Sequence, residues 1–223
     1  MSSAPAGIIV IWNDIREDMR AEFHNWHSLE HIPERVAIPG FVRGQRWFGQ
    51  DSAPQYLTTY LTADAAVLTS AAYLSRLNAP TPWTLRTVAA FVGTCRAAGT
   101  VAWQEDRSTG ECGSILTARI NQAVGDPAAL VRAWSTGALQ TLAGTDGVGC
   151  VRLVVTTAAA SQLPTAERAV RSGDLDEPQL IVLAEGFGTL RQLRDGYDAA
   201  TSGEPLLAQA RVDLYSLQFG RSA

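Results

Sequence analysis

Cysteine, histidine and concentrated positive charge are all scarce in this chain, and each scarcity removes a class of function. The three cysteines, Cys95, Cys112 and Cys150, are odd in number and far apart, which suits reduced structural thiols better than a disulfide frame or a zinc knuckle. Eighteen basic residues stand against 22 acidic ones, a formal net charge of −4, and the basic ones are scattered singly, without the stripe that a phosphate backbone requires. No nucleic-acid partner is expected. No apolar run approaches the roughly 20 residues needed to span a bilayer, and Met1 to Gly7 lacks the basic start and apolar core of a secretory leader. A cytoplasmic protein with no membrane partner is the expectation. The phosphate-cradling G-x-x-x-x-G-K-[ST] loop, a G-x-G-x-x-G after a strand and a G-x-S-x-G elbow are also missing, so nucleotide and serine-hydrolase chemistry have no support.

What is present is an ordinary globular composition, 46% apolar and 18% charged over 223 residues, enough for one large domain or two of about 100 residues. Gly7 to Trp12 reads as a strand, and Ile15, Met19, Phe23, Trp26 and Leu29 recur at helical spacing up to about His31, where Pro33 is expected to end the helix. Pro39-Gly40 turns into a strand over Phe41 to Gly49, followed by a strand over Tyr56 to Thr62, a helix over Ala65 to Leu77 capped by Asp64, a shorter helix from near Trp83, and a strand over Thr94 to Gln104. The β-α-β-β-α-β order is ferredoxin-like. It repeats as strand Ser114 to Ile120, helix Pro127 to Leu142, strands Val148 to Thr157 and Leu180 to Phe187, helix Thr189 to Ala200 and strand Val212 to Phe219. Ala158 to Ser161 and Ser172 to Glu177 read as solvated loops. The fold class is therefore α+β, two tandem ferredoxin-like halves, 1–108 and 109–223, forming an intramolecular α+β barrel with antiparallel sheets. Laying Trp26 on Trp134 brings Gly40-Phe41 onto Gly147-Val148 after one deletion, and puts Ser135, Ala138 and Leu139 opposite His27, Glu30 and His31. The second half lacks the titratable groups of the first, so one site per chain is expected.

The segment that carries chemistry runs from His24 to Arg35 and on to Trp47. Its Trp-His pair, its Glu-His-Ile-Pro-Glu-Arg run, and its Pro-Gly-Phe turn leading to Gly-x-Arg-Trp resemble the dimeric α+β barrel superfamily, in particular its EthD-like and uncharacterised bacterial members. The likeness is strong over about 25 residues and topological elsewhere. It implies a pocket between sheet and helices for a small apolar or aromatic molecule, with Trp26, Trp47, Tyr56, Tyr60 and Trp103 as walls. It implies a fold more firmly than a reaction, because the superfamily spans cofactor-free monooxygenases, lactone isomerases, cyclases and haem enzymes.

An imidazole beside a carboxylate suits general acid–base work, and His27, Glu30 and His31 supply the pair, with Arg46 on the next strand able to hold a substrate carboxylate or enolate oxygen. On an ideal helix His24 and His31 lie away from the apolar line, although unwinding at Pro33 could swing His31 toward the pocket. A helix C-terminus would favour the charged form of His31. His27-Ser28-Leu29-Glu30-His31 also matches H-x-x-E-H, the inverted zinc-peptidase pattern, but lacks the continuing helix and third ligand such a site needs. Three functions follow: an enzyme acting on an aromatic, polyketide-like or lactone substrate by His/Glu acid–base catalysis without cofactor (isomerase, cyclase, decarboxylase or cofactor-free monooxygenase), a haem or divalent-metal protein using His27 or His31 as ligand, or a non-catalytic binding and assembly protein. Edge strands point mildly to a homodimer.

Overall fold

Strand β1 (Gly7–Ile15) sets the logic of the whole molecule, because its alternation sends Ile8, Val10 and Trp12 to one core and Ile9 and Ile11 to another. The computed structural model describes residues 6–108, 110–122, 124–171 and 176–223. Helices α1 (Arg20–Trp26) and α2 (Ile32–Val36) follow, joined by a π-helical turn over His27–His31. Next come β2 (Phe41–Phe48), β3 (Tyr56–Thr62), α3 (Ala71–Leu77), α4 (Pro82–Val88) and β4 (Phe91–Asp106). The remainder comprises β5 (Ser114–Ile120), α5 (Pro127–Ser135), α6 (Ala138–Ala143), β6 (Val148–Thr156), α7 (Ala158–Ser161), α8 (Ala166–Ala169), β7 (Leu180–Gly186), α9 (Leu190–Thr201), α10 (Pro205–Ala208) and β8 (Arg211–Ser222).

All eight strands pair antiparallel into one closed barrel in the order β1-β3-β2-β8-β5-β7-β6-β4. The run β4-β1-β3-β2 recurs as β8-β5-β7-β6, and the two four-stranded runs are stitched by equivalent junctions, β2 with β8 and β6 with β4. Closure removes the free sheet edges on which the homodimer expectation rested. The lumen is filled by Trp12, Trp47, Leu57, Ile115, Val154, Ile181, Leu183 and Tyr215, so it is a packed core with no open channel. Buried ion pairs complete it, Arg119 with Asp213 and Arg152 with Glu185. Helices cover the outer faces, and no helix among the described residues is long and apolar enough to cross a membrane.

Most elements fall where periodicity puts them, and the departures have local causes. The helix through Trp26 does not stop at Pro33; it runs to Val36, because the π turn shifts the hydrogen bonding so that Ile32 N–H reaches the His27 carbonyl and Pro33 stands in the first turn of α2, where its missing donor costs little. The 65–77 helix is split, since Ser70 accepts from Tyr73 N–H and starts α3 afresh after a 3₁₀ turn over Ala65–Thr69. The 127–142 helix breaks at Thr136-Gly137. Ala158 to Ser161 is no solvated loop: it is α7, with Ala160 and Ser161 buried against β4. Of the Ser172 to Glu177 stretch, residues 172–175 lie outside the described residues. The faint internal echo has a conformational counterpart. Gly40 and Gly147 enter β2 and β6 at φ 93° and 83° respectively, a region in which a Cβ is strained.

Candidate active site

The π turn decides which side chains of the first helix face the sheet. In it a residue lies under the one five positions on, rather than three or four, so His31 comes to rest over Trp26 with ring centroids 4.2 Å apart. The same shift turns Leu29, expected on the apolar line, out to solvent at 72% exposure. His27 and His31 are both buried and stack at 5.5 Å, and Phe23 stacks on His27 at 5.0 Å. His24, expected at the surface, is half-buried and shares a 2.8 Å hydrogen bond with the Tyr56 hydroxyl. Burial displaces Cys112 and Cys150 thiols upward, Cys150 to about 12, so both stay protonated, and all three cysteines are buried and free of disulfides.

Opposite the helix, Thr58 and Tyr60 of β3 and Asn13 of β1 close an enclosed cavity of about 30 Å³, which also touches His27, His31 and Arg35. That volume admits about two water molecules. His27 Nδ1, His31 Nδ1 and the Tyr60 hydroxyl are buried with no hydrogen-bond partner among the described residues, a costly state in a packed interior. Burial, with Arg46 next in weight, pushes the His27 pKa well below the usual imidazole value; burial, with Arg35 next, does the same for His31. Both are neutral imidazoles at pH 7, so the charged His31 expected from a helix C-terminus does not form: desolvation and neighbouring guanidinium groups outweigh the helix dipole. Burial raises the Tyr60 phenol far above its ordinary value, leaving it a donor.

The other expected site residues are placed as follows. Glu30 accepts from the hydroxyls of Thr81 (2.6 Å) and Thr84 (3.3 Å) at the start of α4, and no ion pair joins it to a histidine among the described residues. Arg46 donates to Gln218 Oε1, the His24 carbonyl and Ser28 Oγ, and covers the Phe23 ring, so it ties the helix to β2 and β8. Trp26 donates to Thr84 from the wall of the cavity. Trp47 lies on the other side of the sheet, in the lumen, bonded to Thr59; adjacent strand residues must face opposite ways, and Arg46 takes the helix side. Trp103 packs against the core of the second half. Tyr56 sits beside the cavity, against Phe23 and His24. The sequence reading quoted Arg35 at the end of its segment without giving it a role and did not single out Glu167; their side chains form a partly buried ion pair on the cavity wall, 132 positions separate them, and no local pattern announces the pairing.

The second half is filled where the first is polar. Leu139, opposite His31 in the overlay, is fully buried in a cluster with Leu116, Trp134, Leu142, Val182 and Tyr197. A surface groove of about 620 Å³ between the 49–52 turn, β8 and α9 has no orphaned buried polar atom among its lining residues. The cavity as it stands is smaller than a porphyrin, and no group of three or more histidine, cysteine or acidic side chains among the described residues could hold a metal ion.

No family model and no curated protein matches this sequence. Solved structures do match, over nearly the full length. An anthrone oxidase-like protein superposes with TM-score 0.60 at 10% identity, covering 98% of this chain and 93% of the other. A proposed monooxygenase from Fusobacterium nucleatum gives 0.59 at 7% identity, covering 99% and 96%. The fold is that of the ferredoxin-like α+β barrels. A chlorite dismutase from Candidatus Nitrospira defluvii shares it too, with TM-score 0.54 at 10% identity over 98% and 93% of the two chains. At such identities the likeness carries the architecture alone.

Proposed function

We propose that this chain is a small-molecule enzyme of the ferredoxin-like α+β barrel class, built as a tandem repeat in which 1–108 carries the site and 109–223 serves as its partner and wall. It acts by histidine proton transfer without a resident cofactor. The observation that carries this reading is the trio of orphaned polar atoms, His27 Nδ1, His31 Nδ1 and Tyr60 Oη, on buried residues around one cavity, with Ser135 and Leu139 opposite the two histidines in the second half. A packed interior tolerates unsatisfied groups mainly where a ligand or water will satisfy them.

The chemistry follows from protonation states. A neutral imidazole can accept a proton from an acidic C–H or O–H of a bound molecule, and the Tyr60 hydroxyl can donate to the oxygen on which the negative charge collects. Returning the proton elsewhere gives isomerisation or cyclisation. If the carbanion instead meets dioxygen as second substrate, the outcome is cofactor-free oxygenation; two of the structural relatives are described as a monooxygenase and as an anthrone oxidase-like protein. Glu30 and Arg46 serve in this scheme by fixing the helix, one through α4 and the other through β2.

The test is exchange of deuterium from D₂O into small aromatic ketones and phenols, run in air and under nitrogen, with dioxygen uptake recorded in parallel. His27→Ala and His31→Ala should lower exchange by about 10²–10⁴-fold, while Ser135→Ala leaves it unchanged. Equal losses in all three variants, or undiminished exchange in the two histidine variants, would defeat the proposal.

A further inference from the structure

Four arginines are buried among the described residues, Arg35, Arg46, Arg119 and Arg152. Three of them meet a carboxylate: Arg35 pairs with Glu167, Arg119 with Asp213 and Arg152 with Glu185. Arg46, 6% exposed, pairs with none among the described residues. Its partners are neutral. Nε donates to Gln218 Oε1 at 3.1 Å, and Nη1 to the His24 carbonyl at 3.3 Å and to Ser28 Oγ at 3.1 Å, while Nη2 donates to no group among the described residues. The acids of the covering segment are engaged elsewhere, Glu17 with Arg20, Glu22 with Arg86, and Glu30 with Thr81 and Thr84. The rings of Phe23 and Phe219 flank the guanidinium at 5.7 and 6.0 Å, which offsets part of its lost hydration without neutralising it. A buried cation with no counter-ion is costly, and burial pushes the Arg46 pKa below the ordinary arginine value.

The group is reached from the outer side of the β2–β8 seam. Arg46 pairs with Phe219 and Trp47 with Leu217, so Gln218 is the extra residue of a bulge, and it is exposed. Ser28, half-buried, accepts from Nη1 and keeps its own O–H, and Gln218 keeps its Nε2 donors. With Nη2 these bring three kinds of donor to one place. A carboxylate matches that edge: it takes Nε and Nη2 side-on as the Gln218 carbonyl gives up Nε. Phe48, two residues along the same face of β2 and against Tyr56, and Phe219 are half-buried and give the place an apolar rim.

We propose that Arg46 is the centre of a second ligand site, on the outer face of the β2–β8 seam, which binds a small carboxylate with an apolar or aromatic body. The site is separate from the histidine cavity: Arg46, Ser28 and Gln218 are not among the cavity's lining residues, and Phe23 lies against both Arg46 and His27. The two still interact. After burial, Arg46 is the next influence lowering the His24 and His27 pKa values, and an anion on the guanidinium relieves that part.

Calorimetry on the full chain with benzoate, its neutral analogue benzamide, and acetate tests this. Benzoate should bind about ten-fold or more tightly than either of the others. Gln218→Glu delivers a carboxylate to Arg46 from within the chain, so it should weaken benzoate by about ten-fold or more and raise the urea midpoint. Gln218→Ala removes only a neutral competitor and should bind benzoate at least as well as wild type, while Arg46→Gln should reduce benzoate to the benzamide level. Benzoate bound no better than benzamide, or benzoate affinity unmoved by Gln218→Glu, overturns the proposal; the Gln218→Glu result decides alone should Arg46→Gln not fold. Acetate binding as tightly as benzoate overturns the apolar body. None of these readouts requires turnover, so failure of the proposed proton exchange leaves this site standing, and loss of this site leaves that chemistry untouched.

Discussion

Two neutral imidazoles buried under guanidinium groups should make this protein sensitive to mild acid in a window where few other groups titrate. In the unfolded chain both rings take up protons near pH 6.5, whereas in the folded chain burial, then Arg46 for His27 and Arg35 for His31, keep them neutral well below that. The unfolded state therefore binds more protons as the pH falls. The stability these groups contribute is complete above about pH 7 and is lost progressively as the pH drops through 6.5 toward their folded values. One unit of pH below the unfolded pKa costs about 1.4 kcal/mol per ring. From pH 7.5 to 5.5 the two together cost about 3 kcal/mol, a large share of the 5–15 kcal/mol typical of a folded domain. The control is a double variant, His27→Phe with His31→Leu, the second change copying Leu139. Urea unfolding of both proteins across the window gives the difference directly, and contributions from His24 and the carboxylates cancel. The gap between wild type and variant should move by about 3 kcal/mol. Parallel profiles would refute the claim that both rings are held neutral.

Glu30→Gln keeps an acceptor for Thr81 and Thr84 while abolishing any proton-transfer role, so deuterium exchange should stay within a few-fold of wild type; a loss like that of His27→Ala would return Glu30 to the chemistry. Trp47→Ala empties a lumen position on the far face of the sheet and should cost about 3–5 kcal/mol in urea unfolding while leaving deuterium exchange by the folded protein within a few-fold of wild type. Loss of exchange at full stability would place Trp47 in the site after all.

Strand alternation and turn residues were enough to read the eight strands, and Tyr56 to Thr62 and Ser114 to Ile120 fall where expected to the residue. The alternation also held information about the site that aromatic content obscured. Arg46 and Trp47 are neighbours on a strand and cannot share a pocket, while Tyr56 and Tyr60 share a face. The π turn was illegible because periodicity arguments assume 3.6 residues per turn, and one wider turn exchanges His31 for Leu29 on the buried side. Glu30 sits three residues after His27 and next to His31 in sequence, yet Thr81 and Thr84 at the start of α4, 51 and 54 positions away, claim it. The Arg35–Glu167 and Arg152–Glu185 pairs join residues from different strands and connections, and charge patterning along the chain has no access to such meetings.

Barrel closure has a consequence for how the protein is made. β8 is synthesised after every other strand, yet it fills the gap between β2 and β5, pairing Arg43 with Ser222 and Arg119 with Arg211. Until it leaves the ribosome, β2 and β5 each present an unpaired ladder to the cell, the kind of edge that recruits other nascent chains. A chain that stalls before residue 211 is thus a sticky sheet, and holding it apart from its neighbours is work for chaperones during translation.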